Sequence, residues 1–149
     1  MSKSKGLLVL IFVLVSLAAI LAAFFMMPSQ SARRAVVSFY EFEQQGEFSE
    51  SWEMFHPLMK DKFDKGHYLQ DRAHVFMNHF GVTTFTLEIL STKKVKKWSM
   101  EEGSRTFNHV YSTKVVQTFK GKYGTFHIQQ EMYAVKEKGE WKLMWDYNK

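Results

Sequence analysis

The side chains that could carry chemistry here are one serine, six histidines and a handful of carboxylates. Ser91-Thr92-Lys93-Lys94 has the Ser-x-x-Lys spacing of a serine nucleophile with its lysine. That pairing works when the serine opens a helix and Ser-x-Asn and Lys-Thr-Gly elements complete the site. Here the tetrad follows a strand-like run and neither partner element occurs, so the match is read as coincidence. The chain has no cysteine, no Gly-x-Ser-x-Gly turn and no phosphate loop, which removes the common nucleophile and nucleotide signatures.

The histidines are weighed as metal ligands. His74 and His79 are five apart, which sets them about 140° apart around an α-helix, away from a common face. His67 and His74 share a face, but no carboxylate stands beside them at ligand spacing. Both pairs are read as structural or surface histidines, with no metal and no cofactor expected. His109 and His127 fall on neighbouring strand-like segments, and the sequence does not say whether they face a pocket or solvent.

The elements that must position these groups begin with an uncharged apolar run, Leu7 to Met27, of 21 residues behind Lys3 and Lys5. As a helix it spans roughly 30 Å, the thickness of the hydrocarbon core of a bilayer. It is longer than the 7–15 residues usual in a cleavable signal, so an uncleaved anchor over residues 1–28 is the preferred reading. Cleavage between Pro28 and Ala32 stays open. Lys3 and Lys5 against Arg33 and Arg34 set the N-terminus inside and the domain outside a cytoplasmic membrane, as a single-pass protein.

Residues 29–149 are enough for one domain. The chain holds 14 Phe, 6 Tyr and 4 Trp, so a core is within reach without staples. Setting aside Lys3 and Lys5 leaves 18 basic against 15 acidic residues, too even a balance for a nucleic-acid-binding face. Lys93, Lys94, Lys96 and Lys97 form the one basic concentration, read as protection of a sheet edge. The sharper reading of these lysines is contact with anionic headgroups or an anionic wall polymer.

Apolar residues at three- and four-residue steps predict a helix over Ala32 to Gln45, stopped by Gly46. A second helix opens at Ser49, with Trp52, Phe55, Leu58 and Met59 inward and a kink or restart at Pro57. Gly66 breaks the chain again. A third helix runs from Tyr68 to His79, burying Leu69, Ala73, Phe76 and Met77, and ends at Gly81. The period then changes to two. Phe85, Leu87 and Ile89 mark one strand; Phe107, His109, Tyr111, Thr113 and Val115 mark a second, longer one. Gly121 to Gly124 turns into a third, with Phe126, Ile128, Gln130, Met132 and Ala134 on one face. After Glu137 to Glu140, Trp141, Leu143, Trp145 and Tyr147 alternate along a fourth. Helices followed by an antiparallel meander is an α+β pattern: three helices on a curved sheet of about four strands.

Ala35-Val36-Val37-Ser38-Phe39-Tyr40 and Ser51-Trp52-Glu53-Met54-Phe55-His56-Pro57 resemble the nuclear transport factor 2-like superfamily. Phe80-Gly81-Val82, Lys122-Tyr123-Gly124 and Tyr133 to Tyr147, with Gly139-Glu140-Trp141 and Trp145-Asp146-Tyr147, look more narrowly like the MecA-type N-terminal domain of class B penicillin-binding proteins of Gram-positive bacteria. The resemblance covers roughly 32–148. It implies a cone-shaped fold behind a membrane anchor, with a spacer or interaction role and, commonly, a homodimer through the open sheet face. The sequence stops at Lys149, before the linker and transpeptidase of that family, so its catalysis is not carried over.

Enzymes of the superfamily place an acid or base inside the cone, and His109, Tyr111, Gln130 and Glu131 are the positions considered for it. The leading expectation is a non-catalytic, membrane-tethered interaction module on the outer face, working beside a cell-envelope protein through Trp98, Tyr123 and Tyr133 as exposed aromatics. A second is a small-molecule binding domain whose pocket is lined by His109, Tyr111, Gln130 and Trp145. A third is a split penicillin-binding protein fragment.

Overall fold

A computed structural model describes residues 3–148. Its first element is α1 (Lys3–Met26), an apolar helix in which the window Lys5–Phe24 is long enough to cross a membrane and is not buried against the rest of the chain. Met27 is extended, as the residue before a proline prefers, and Pro28 starts α2 (Pro28–Gln45) at its first position, four residues earlier than the periodicity predicts. Gly46 closes α2 at φ 76°, with Glu47 N donating to Phe42 O at 2.9 Å in a Schellman-type stop.

The second expected helix is broken in two, as its proline requires. α3 (Phe48–Glu53) ends before Phe55, and α4 (Pro57–Lys60) restarts with Pro57 in its first turn. His56 caps that restart, its Nδ1 accepting from Leu58 N at 3.1 Å. The linker between them is held by the last strand of the chain, with His56 N donating to Leu143 O at 3.0 Å and Leu143 N to Met54 O at 2.9 Å. Gly66 does not break the chain. It lies in the first turn of α5 (Lys65–Asp71), whose start is set by Asp64 accepting from His67 N at 2.9 Å. From Arg72 to His79 the helix widens to a π-helical segment, with Phe80 N bonded to Val75 O at 3.2 Å. The expected burial of Phe76 and Met77 lies outside the described residues.

Four antiparallel strands form the main sheet in the order β1 (Phe85–Val95), β4 (Val110–Gly121), β5 (Gly124–Glu137), β6 (Glu140–Met144). A bulge at Leu90 shifts the β1–β4 register between Ile89 and Ser91. A two-stranded ribbon, β2 (Trp98–Ser99) and β3 (Thr106–Phe107), stands apart, so Phe107 pairs with Trp98 and is not on the long strand; His109 precedes β4. Trp145 and Tyr147 lie past the end of β6, and Tyr147 N bonds Met100 O at 2.8 Å. Gly121 ends β4 where a Cβ would come within 2.6 Å of Phe80 O, and this space lets Lys122 N donate to that carbonyl at 3.0 Å.

Alternation puts Tyr111, Thr113, Val115 and Phe119 of β4 with Met132 and Ala134 of β5 on one face. These pack with Val36, Phe39 and Tyr40 of α2 into a single core. A cluster of rings fills the middle: Phe39 is 5.1 Å from Phe55, Phe55 is 5.0 Å from Trp145, and Phe63 stacks on Trp145 at 5.9 Å. Phe39 and Phe55, fully buried, contribute about 1.5–3 kcal/mol each, and edge-on ring pairs add to that. The mixed α+β architecture behind an apolar helix is as the sequence predicts.

Candidate functional site

The α2 stripe that meets the core, Ala32, Val36, Phe39 and Tyr40, ends in a carboxylate. Glu43 is 3 % exposed. A buried charge is tolerated only when paired and hydrogen-bonded. Here Glu43 Oε1 accepts from Ser51 Oγ at 2.6 Å and from the Tyr68 hydroxyl, and Oε2 accepts from Arg72 Nε at 2.5 Å and from Nη2. Burial lowers Arg72 to about 10, so it stays cationic at neutral pH. Burial also pushes the hydroxyls of Tyr40 and Tyr68 up, so both remain protonated donors. The node therefore joins α2, α3, α5 and the start of the π-helical segment through charge. Beside it is a cavity of about 20 Å³, the size of one water. Sequence reading passed over Glu43; its signal was a lone acid at i+3 and i+4 from the apolar pair Tyr40 and Phe39.

The four residues expected to line one pocket are in three places. His109 and Tyr111 share a groove of about 320 Å³ with Lys94, Lys136 and Trp141. Gln130 is half-buried on the helix-facing side of β5, accepting from the Tyr40 hydroxyl at 3.3 Å. Trp145 forms a wall of a separate recess of about 310 Å³ with Phe63, Tyr68, Asp71, Arg72, Val75 and Tyr147. They are divided because Phe39 and Tyr40 occupy the space between them. Glu131, also considered as an acid or base, is on the opposite side of the sheet. Its carboxyl is held below the ordinary range by the hydroxyl of Tyr133 (2.9 Å), with Ser112 (3.0 Å) and Lys114 (3.5 Å) adding to the effect.

Of the three aromatics expected at the surface, only Tyr123 is well exposed, at the tip of the β4–β5 hairpin. Trp98 and Tyr133 are corrected. They stack on each other at 4.1 Å and 7°, which half-buries Trp98 and buries Tyr133 under the β2–β3 ribbon. Pairing their faces removes from water the area that an exposed patch would have offered.

Ser91 and Lys94 are both on β1, not at a helix start. His74 and His79 do meet, Nε2 to Nε2 at 2.8 Å, contrary to the α-helical expectation. In a π-helix residue i+5 returns above residue i, so the wider turn brings together what a 3.6-residue turn separates. His67 pairs with Asp64, and His127 with Thr118 Oγ1 at 2.8 Å. Among the described residues no group of three or more His, Asp or Glu side chains converges.

Fold and site together define an α+β domain behind an apolar helix, with a charged strut inside and a basic groove at one end. Comparison with protein-family models and with curated proteins finds no match to the chain.

Proposed function

We propose that this chain is a membrane-tethered, non-catalytic interaction module on the outer face of a bacterial cytoplasmic membrane, working beside a cell-envelope protein. In this reading α1 is the anchor and the remainder is a nuclear transport factor 2-like cone similar to the MecA-type N-terminal domain. The observation that carries it is a contrast. None of the apolar window of α1 is buried by the chain, whereas the space between helices and sheet is filled by Phe39, Phe55, Phe63 and Trp145. An apolar helix without protein cover has the bilayer as its natural solvent. A filled interior moves recognition to the surface.

Brief in-cell crosslinking of the full chain, followed by purification and mass spectrometry, tests this. Recovery of a specific envelope enzyme or channel subunit is the expected result. Recovery of the chain alone would count against it. A C-terminal alkaline phosphatase fusion, active only outside, checks the orientation.

One observation favours a second reading, a small-molecule binding domain. The recess at Trp145 has aromatic walls, and Asp71 and Arg72 also line it. Ligand screening of the full chain by tryptophan fluorescence, with Trp145→Phe as control, tests that alternative.

A further inference from the structure

The groove at His109 and Tyr111 is placed by the fold close to the end of α1. Lys94 pairs with Tyr111 across β1 and β4, and Lys136 pairs with Trp141 across β5 and β6. By alternation these side chains share the helix-facing side of the sheet, in its last rows. There the cover runs out, because α2 begins at Pro28, and Pro28 and Ser31 form the remaining wall. Ser31 is five residues beyond Met26; one extended step at Met27 and the first turn of α2 carry the chain at most about 9 Å past the end of α1. The headgroup layer is about 5–8 Å thick on each side of a bilayer. If α1 spans the membrane, the groove is therefore within reach of the headgroup layer.

Its chemistry suits that layer. Lys94, His109 and Lys136 are exposed around it, and no carboxylate lines it. Among the described residues neither lysine has an ion-pair partner; Lys136 lies over the Trp141 ring at 5.9 Å. Trp141 and Tyr111 meet edge-on at 5.7 Å, and such amphipathic rings favour the membrane interface. Trp141 Nε1 donates to Ser31 Oγ at 2.6 Å, so the hydroxyl is held at the groove wall.

We propose that this groove takes the phosphate of an anionic lipid headgroup from the membrane that α1 crosses. It thereby holds the Lys94–Lys136 end of the sheet against the bilayer. The proposal rests on the membrane-tether reading above. Lys93, Lys96 and Lys97 extend the positive field along the same edge.

The test uses the full chain in nanodiscs of phosphatidylcholine with or without phosphatidylglycerol, and native mass spectrometry to count retained lipids. Alkaline carbonate extraction of cell membranes comes first. Release of the chain would sink the tether reading, and this proposal with it. If the chain stays, wild type is expected to retain phosphatidylglycerol over phosphatidylcholine. Each lysine near an anionic surface is worth about fivefold, so Lys94→Gln with Lys136→Gln weakens retention by roughly 30-fold. The Lys94→Arg, Lys136→Arg variant keeps it, and Lys60→Gln with Lys65→Gln, at the Glu53 ion pairs, leaves it unchanged. Equal retention by wild type and the double glutamine variant would overturn the site while leaving the anchor standing. Displacement of the lipid by millimolar inorganic phosphate would reassign the groove to a free anion and also overturn it.

Discussion

Trp141 in the last strand donates its indole N–H to Ser31 in the first turn of α2, a 2.6 Å bond between residues 110 positions apart. It ties the end of the sheet to the helix that leaves the apolar segment, beside the apolar contacts that Val36, Phe39 and Tyr40 of the same helix make with the core.

Removing that bond should loosen the junction. Trp141→Phe, which keeps most of the ring, is expected to cost about 1 kcal/mol, and Ser31→Ala a similar amount. The double variant should cost less than the sum, since both remove one interaction. Urea unfolding of the full chain in detergent reads all three, and strict additivity would mean the bond contributes nothing.

The Glu43–Arg72 strut predicts an asymmetry between single and double changes. Glu43→Leu or Arg72→Leu alone leaves a buried charge unpaired and should cost about 3–5 kcal/mol. Changing both together should recover a large part of that loss. Single changes that cost under about 1 kcal/mol would show the pair to be solvated.

His56 predicts acid sensitivity. Burial depresses its pKa, more than the neighbouring Glu137 carboxylate raises it, and Nδ1 is occupied as the acceptor for Leu58 N. The folded state thus prefers the neutral ring. Its stability contribution is complete above about 6.5 and is lost as pH falls below that value, where the unfolded chain takes up the proton first. Glu137, held low by its bond from Arg105, adds a second loss as the pH drops below the ordinary carboxylate range. Thermal unfolding between pH 8 and 5 should show Tm falling for wild type. His56→Asn, which retains a capping acceptor, should be nearly flat over that range.

Gln117 is 3 % exposed on β4, and its amide nitrogen has no hydrogen-bond partner among the described residues. A buried unsatisfied donor costs about 1–3 kcal/mol, so Gln117→Met should raise stability by about 1 kcal/mol. A shift of the denaturation midpoint to higher urea is the expected reading; a lower midpoint would mean the amide has a role that the residues around it do not reveal.

What the chain encodes locally was legible without the fold. The apolar run of α1, the stop at Gly46, the restart at Pro57, the β4–β5 turn at Gly121–Gly124 and the alternation Phe126 to Ala134 depend on covalent geometry and near-neighbour burial, which act within a few residues. Interactions between distant segments were not legible. Glu43 meets Arg72 across 29 positions, and Trp98 covers Tyr133 across 35. The expected pocket is divided by Phe39 and Tyr40, which arrive from another element. His74 and His79 lay within one helix and still escaped, because the hydrogen-bond period there is five and not four. By itself the sequence determined the apolar helix, the succession of helices before the four long strands and the face those strands present, since periodicity is a property of the backbone; the β2–β3 ribbon between them was not legible. Tertiary packing alone decided which polar groups were buried together and which lysines ended up beside the helix exit, because those choices are made by the volume and charge of segments far apart in the chain.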